Sequence, residues 1–236
     1  MNESLLHNAV RLHEAGDLAG AARLYAEILR ANPRHFQALY MLAFAHLQGG
    51  HFEDAERLMG DAARLNPQSP DAYFMRGSAL QRLGRLQDAV GCYDQALSLR
   101  PNFVDALMER GTALMAMRRF EQALLTVDTA LALSPKLAGA WNNRGYILQH
   151  MNRGEEAIVC FEKALALEPN FPEALLSYGA ALFEAKRFED AVAAYEKALA
   201  LAPDTPYLRG NLLLYRLHCC DWRDRKSTRL NSSHVK

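Results

Sequence analysis

The chain has 236 residues, 50% of them hydrophobic, with 27 Lys and Arg balanced by 27 Asp and Glu. That composition can bury a sizeable core and excludes a disordered or collagen-like chain. No apolar run approaches the roughly 18 residues of a membrane span, and residues 1–12 lack the basic-then-apolar order of a secretory signal, so a soluble, cytoplasmic protein with no membrane partner is expected. The four cysteines, Cys92, Cys160, Cys219 and Cys220, have no framework spacing and fit a reducing compartment; Cys92 and Cys160 sit inside helical patterns and read as small core residues.

From its start the chain repeats. The first unit sets the register with Ala9, Gly16, Ala21, Tyr25, Ile28 and Pro33. Thirty-four residues later the second has Ala43, Gly50, Ala55, Met59, Ala62 and Pro67, and the third has Gly77, Gly84, Ala89, Tyr93, Ala96 and Pro101. The fourth places Gly111, Arg118, Ala123, Val127, Ala130 and Pro135 in the same order, and the fifth Gly145, Asn152, Ala157, Phe161, Ala164 and Pro169. Gly179, Lys186, Ala191, Tyr195, Ala198 and Pro203 close the sixth.

The third unit shows what the spacing means. Tyr73, Gly77 and Leu80 recur at helical intervals, as do Ala89, Tyr93 and Ala96, so two antiparallel helices are expected in each unit. Gly77 lets the first helix approach the second while Tyr93 fills the space beside it. Gly84, like Gly16 and Gly50, suits the left-handed residue that often ends a helix, and Arg118, Asn152 and Lys186 in the later units make glycine there helpful rather than required. The recurring proline lacks an N–H and restricts the residue before it, so each second helix stops on schedule.

This register resembles the tetratricopeptide repeat over residues 2–205, in six consecutive units. The resemblance implies an all-α fold, a right-handed α-solenoid of six helix-turn-helix units, with residues 1–205 as the repeat domain. It also implies that the first helix of each pair lines a groove for proteins or extended peptides. Carried onto this sequence, the groove residues are Tyr40, Met41, Phe44, Phe74, Met75, Ser78, Met108, Glu109, Thr112, Asn142, Asn143 and Tyr146. The first half is apolar and rich in methionine and aromatics, which suits an adaptable protein-binding surface. The other reading, that several of these residues, Tyr40 and Phe74 above all, pack between adjacent units, stays open. Some family members hold peptide backbone with one groove asparagine per repeat; here Asn143 alone takes that place, with His7, Met41, Met75, Glu109 and Ser177 at the others.

No catalytic residue, cofactor or metal site is expected. Zinc-protease, paired-cysteine and phosphate-loop signatures do not occur. In "HCCD" at 218–221 the adjacent cysteines would point in different directions on a helix, and only two ligands would face one ion. Asp94, Glu162 and Glu196 fall at solvent-facing positions of second helices and read as a solvated surface.

Residues 206–223 form the next expected element. Thr205 suits a cap, Pro206 the first helical position, and Leu208, Leu212, Tyr215 and Cys219 an apolar stripe covering the sixth repeat. The run "PYLRGNLL…LHCCDW" is also similar to the junction of bacterial-type, SPINDLY-like O-linked N-acetylglucosamine transferases, where the repeats meet the glycosyltransferase half. That resemblance implies an arm presenting acceptor proteins to a transferase that uses UDP-N-acetylglucosamine, with the catalytic residues beyond this point. A free-standing adaptor is the alternative. Residues 224–234, DRKSTRLNSSH, match the translation of a common sequencing adapter, so 224–236 is expected to be foreign to the natural chain. Removing its four Lys and Arg and one Asp from the 27 and 27 leaves 23 basic and 26 acidic groups, a net of −3, which disfavours nucleic acid as a partner.

Overall fold

The computed structural model describes residues 2–204 and 208–217. The expected end of the junction, the HCCD cluster and the 224–236 tail lie outside them. Among the described residues there are twelve long helices and a shorter one, with no strand. The helices are α1 (Asn2–Glu14), α2 (Leu18–Ala31), α3 (Phe36–Gln48), α4 (Phe52–Leu65), α5 (Pro70–Arg82), α6 (Leu86–Leu99), α7 (Val104–Ala116), α8 (Phe120–Leu133), α9 (Ala138–His150), α10 (Gly154–Leu167), α11 (Pro172–Glu184), α12 (Phe188–Leu201) and α13 (208–217). They fall into two compact units, Met1–Thr126 and Val127–Lys236, divided within α8. In the first unit each helix from α1 to α7 packs on the next, as does each from α9 to α12 in the second, and successive first helices also touch: α1 with α3, α3 with α5 and α5 with α7 in the first unit, α9 with α11 in the second. This is the all-α stacking of a helical repeat array.

The periodic residues act as their chemistry requires. Tyr25, Tyr93 and Phe161 are fully buried with the alanines of their own second helices. A β-carbon added to Gly77 would lie 2.6 Å from Cε1 of Tyr93, one on Gly145 2.6 Å from Cε1 of Phe161, and one on Gly179 2.7 Å from the Tyr195 ring. The small residue is therefore the seat of the ring, and the two must match. Each second helix ends two residues before its proline, and the residue between is drawn toward the extended region, as at Asn32 (φ −142, ψ 90) and Glu168 (φ −134, ψ 88). Some helix starts are capped by side chains: the Asp17 carboxylate accepts from the Gly20 N–H at 2.8 Å, and the Ser69 hydroxyl from the Ala72 N–H at 3.3 Å.

The turn inside each pair is left-handed throughout, with φ of 82, 78 and 75° at Gly16, Gly50 and Gly84, and 58, 59 and 62° at Arg118, Asn152 and Lys186. The backbone is the same whichever side chain sits there; only the strain differs. Lys186→Gly removes a β-carbon from a conformation that costs an L-residue about 1 kcal/mol, and should raise the melting temperature by about 2–4 °C in a thermal scan.

Asp94, Glu162 and Glu196, expected as a solvated surface, are exposed but bonded to the next first helix. Arg110 Nε donates to Asp94 at 2.7 Å, the Tyr178 hydroxyl to Glu162 at 3.2 Å, and Arg216 Nη2 to Glu196 at 2.6 Å. Arg144 Nε bridges to Asp128 at 2.7 Å in the same way, while its Nη1 donates to the buried sulfur of Cys160 at 3.1 Å. Where Gly60 occupies the acidic position, Arg76 lies over it and reaches back one turn to Glu56, at 2.6 and 2.9 Å. Periodicity within one helix does not reveal these rungs, because donor and acceptor belong to different repeats.

At the end of the second unit α13 packs on the sixth repeat. Leu208 and Leu212 are buried with Leu175, Tyr195 and Ala198, and Tyr215 stacks on Phe183 at 4.1 Å. The stripe predicted for a covering helix is therefore present through Tyr215; Cys219 lies outside the described residues.

Candidate functional site

In the first unit the first helices place a polar cluster above an apolar floor. A cavity of about 400 Å³ is lined by Leu47 and Gln48 of α3, Phe52 of α4, Ser78, Gln81 and Arg82 of α5, and Glu109 of α7. Gln81 is its hinge. The buried Tyr93 hydroxyl, its pKa pushed up by burial, donates to Gln81 Oε1 at 3.2 Å, and Gln81 Nε2 donates to Glu109 Oε2 at 2.7 Å. The carboxamide is thus held at both ends, with the carboxylate presented to the cavity. Gln48 is fixed by His13, whose Nε2 lies 2.7 Å from its Oε1 and whose ring stacks on Phe44 at 5.3 Å. Arg82 covers the Phe52 ring at 5.1 Å, so its charge sits over an aromatic face at the rim.

The second unit carries an analogous hollow. About 570 Å³ is enclosed by Tyr146, Gln149, His150 and Asn152 on one side and Leu176, Ser177, Ala180 and Glu184 of α11 on the other. Gln149 Nε2 donates to Glu184 Oε2 at 3.0 Å, and Tyr146 meets His150 edge to face at 4.4 Å. In both units a glutamine on one first helix holds a glutamate on the next. Such a surface offers carboxamide and carboxylate groups to a peptide backbone and apolar or aromatic walls to its side chains.

Three of the residues expected in a groove line these hollows: Ser78 and Glu109 in the first, Tyr146 in the second. Tyr40, Met41, Phe44 and Phe74 are half-buried and pack against the core formed by Ala9, Tyr25, Leu39, Leu42 and Met59. Phe74 is wedged against Phe103 at 4.9 Å and Tyr93 at 6.0 Å. Tyr40 lies near the Arg100–Asp71 bridge, where burial and then the Asp71 charge raise its hydroxyl pKa. Met75 departs furthest from the expected groove: at 8% exposure it belongs to that same core, because its turn of α5 faces neighbouring helices rather than solvent. Met108, Asn142 and Asn143 are half-buried and Thr112 exposed, and none of the four lines either hollow. The Asn142 Oδ1 is buried with no hydrogen-bond partner.

Gln48, Gln81, Arg82, Gln149, His150 and Glu184 were not singled out by sequence. A partial signal was available for five of them: Gln48, Gln81, Arg82, Gln149 and His150 stand three or four residues after Phe44, Ser78 or Tyr146, one turn further along the same face, whereas Glu184 follows no groove candidate. Among the described residues, no group of three or more His, Cys, Asp or Glu side chains is placed to hold a metal ion, and no helix is long and apolar enough to cross a membrane.

Models of the tetratricopeptide repeat match residues 12–76, 74–138, 138–171 and 172–205, without a gap. Comparison with curated protein sequences gives no match. Among solved structures the chain is similar to a MamA protein (24% identity, TM-score 0.68, covering 72% of this chain and 92% of that one). It is also similar to YrrB, a repeat protein described as having an unusual peptide-binding site (22%, TM-score 0.66, 72% and 88%). A third is pilF of Pseudomonas aeruginosa (22%, TM-score 0.69, 82% and 86%). At these identities the likeness is one of fold.

Proposed function

The chain belongs to the tetratricopeptide-repeat family, and from that premise we propose that it binds extended peptide segments of other proteins through the hollows on its first helices. The observation that carries this reading is the repeated glutamine–glutamate bridge beside an open, part-apolar hollow, Gln81–Glu109 in one unit and Gln149–Glu184 in the other. The peptide-binding site described for YrrB, on the same fold, supports it. The test is selection of peptides from a displayed random library against the wild-type chain, followed by binding to Ser78→Arg and Ala180→Arg, which fill the first and second hollow. Each enriched peptide should lose at least tenfold in affinity against one variant. Enriched peptides that bind both variants as they bind wild type would place recognition elsewhere.

Two readings refine this one. The run from Pro206 to Trp222 supports an acceptor-presenting arm of an O-linked N-acetylglucosamine transferase acting in the cytoplasm, with the sugar-nucleotide site encoded further on. The repeat fold shared with MamA and YrrB is equally consistent with a free-standing adaptor. The source gene decides: a long open frame after the Trp222 codon that encodes a nucleotide-sugar domain favours the arm, and an early stop favours the adaptor.

A further inference from the structure

The two hollows differ in charge. The one in the second unit is lined by a single carboxylate, Glu184, and by no Lys or Arg, whereas in the first Glu109 shares the lining with Arg82. Elsewhere acids are taken up by arginines of the following helix, as Asp94 is by Arg110, Asp128 by Arg144 and Glu196 by Arg216. Among the described residues Glu184 forms no such pair. It is exposed, and its Oε2 accepts from the Gln149 carboxamide at 3.0 Å. A neutral donor of this kind orients one oxygen and leaves the negative charge and the second oxygen for a ligand.

The walls beside this carboxylate are apolar and aromatic. Leu176 is half-buried and Tyr146 is 42% exposed, its ring meeting His150 edge to face at 4.4 Å. His150 is the one lining group able to become cationic. Lys and Arg are the side chains that lay a methylene stem on apolar surface while carrying a charged head to a polar group, and an aromatic ring adds attraction for the cation. A hollow of about 570 Å³ takes one such side chain with room for water. An acidic side chain would be repelled by Glu184, and an aliphatic one would take water from the carboxylate without giving it a partner.

We propose that the second hollow is a subsite for one Lys or Arg side chain of the bound peptide, with Glu184 setting that preference and Gln149 positioning its carboxylate. The proposal rests on the peptide-binding reading above and adds the side chain that is selected. Because Glu184 is exposed, the ion pair is weaker than a buried one, and the preference over a neutral side chain is about three- to tenfold in affinity.

The test selects peptides from a displayed random library on the full wild-type chain and takes as ligands of this hollow those that no longer bind Ala180→Arg. They should share a Lys or Arg at one aligned position. Replacing it by a neutral counterpart, norleucine for Lys or citrulline for Arg, should weaken binding to wild type about three- to tenfold. The same replacement should leave binding to Glu184→Gln unchanged, because that variant has already lost the pair. Selection on Glu184→Lys should return Asp or Glu at that position, with helicity unchanged since the residue is exposed. Ligands of this hollow without a shared basic residue, or equal losses on wild type and Glu184→Gln, would overturn the proposal and leave the peptide-binding reading standing. If no selected peptide is sensitive to Ala180→Arg, both fall for this hollow.

Discussion

Phe161→Ala should lower stability by about 3–5 kcal/mol, read as a fall in the urea midpoint followed by circular dichroism. The ring is fully buried, lies against Gly145, and has no polar atom whose loss complicates the reading. Truncation leaves a cavity that flanking helices cannot close, since their own spacing is fixed by the same glycine–ring fit in the next repeat, Gly179 with Tyr195. The reverse change, Gly145→Ala, puts a β-carbon 2.6 Å from a ring carbon and should cost about 1–3 kcal/mol. If the fit is the cause, Gly145→Ala should cost less when Phe161 is already leucine. Strictly additive losses would show that the two residues act independently.

Met75→Glu is expected to do comparable damage in the first unit, with far-UV dichroism lost and protease sensitivity gained. Its side chain sits in the core with Leu39, Leu42 and Met59, and a carboxylate there would be desolvated among apolar groups, costing several kcal/mol unless it is protonated. Acid should therefore partly restore the fold, because below the raised pKa the glutamate is neutral. Met41→Glu, half-exposed at the corresponding position one repeat earlier, should leave helicity near wild type. Equal effects of the two substitutions would contradict the burial difference between Met75 and Met41.

That difference also shows what sequence could and could not reveal. The glycine seats, the buried rings, the proline stops and the left-handed turns recur every 34 residues and depend on contacts inside one helix pair, so the repeat betrays them. The groove does not recur in that way. Met75 and Ser78 lie one turn apart on α5, both at helical spacing from neighbouring groove candidates, yet one is core and the other lines a hollow; which is which depends on the adjacent repeat. Gln81 and Gln149 escaped notice for the same reason, since the glutamates they hold lie 28 and 35 residues away on another helix. The buried half of α13 was legible because its stripe, Leu208, Leu212 and Tyr215, is local.

The rungs between repeats bear on how such an array can change in length. Arg110 and Asp94, Arg144 and Asp128, and Tyr178 and Glu162 are each 16 residues apart. Recombination that removed residues 129–162 would leave Tyr178 the same distance from Asp128 and hand its hydroxyl a new carboxylate. Duplication of that stretch would likewise meet a waiting donor. Gene loss or gain in whole periods thus keeps every cross-strut matched with an acceptor, while an indel of any other size strands a half-buried guanidinium such as that of Arg144. At Gly60 the rule lapses: a unit imported there would bring a donor to a position with no acid, and only one able to reach back to Glu56, as Arg76 does, would be tolerated.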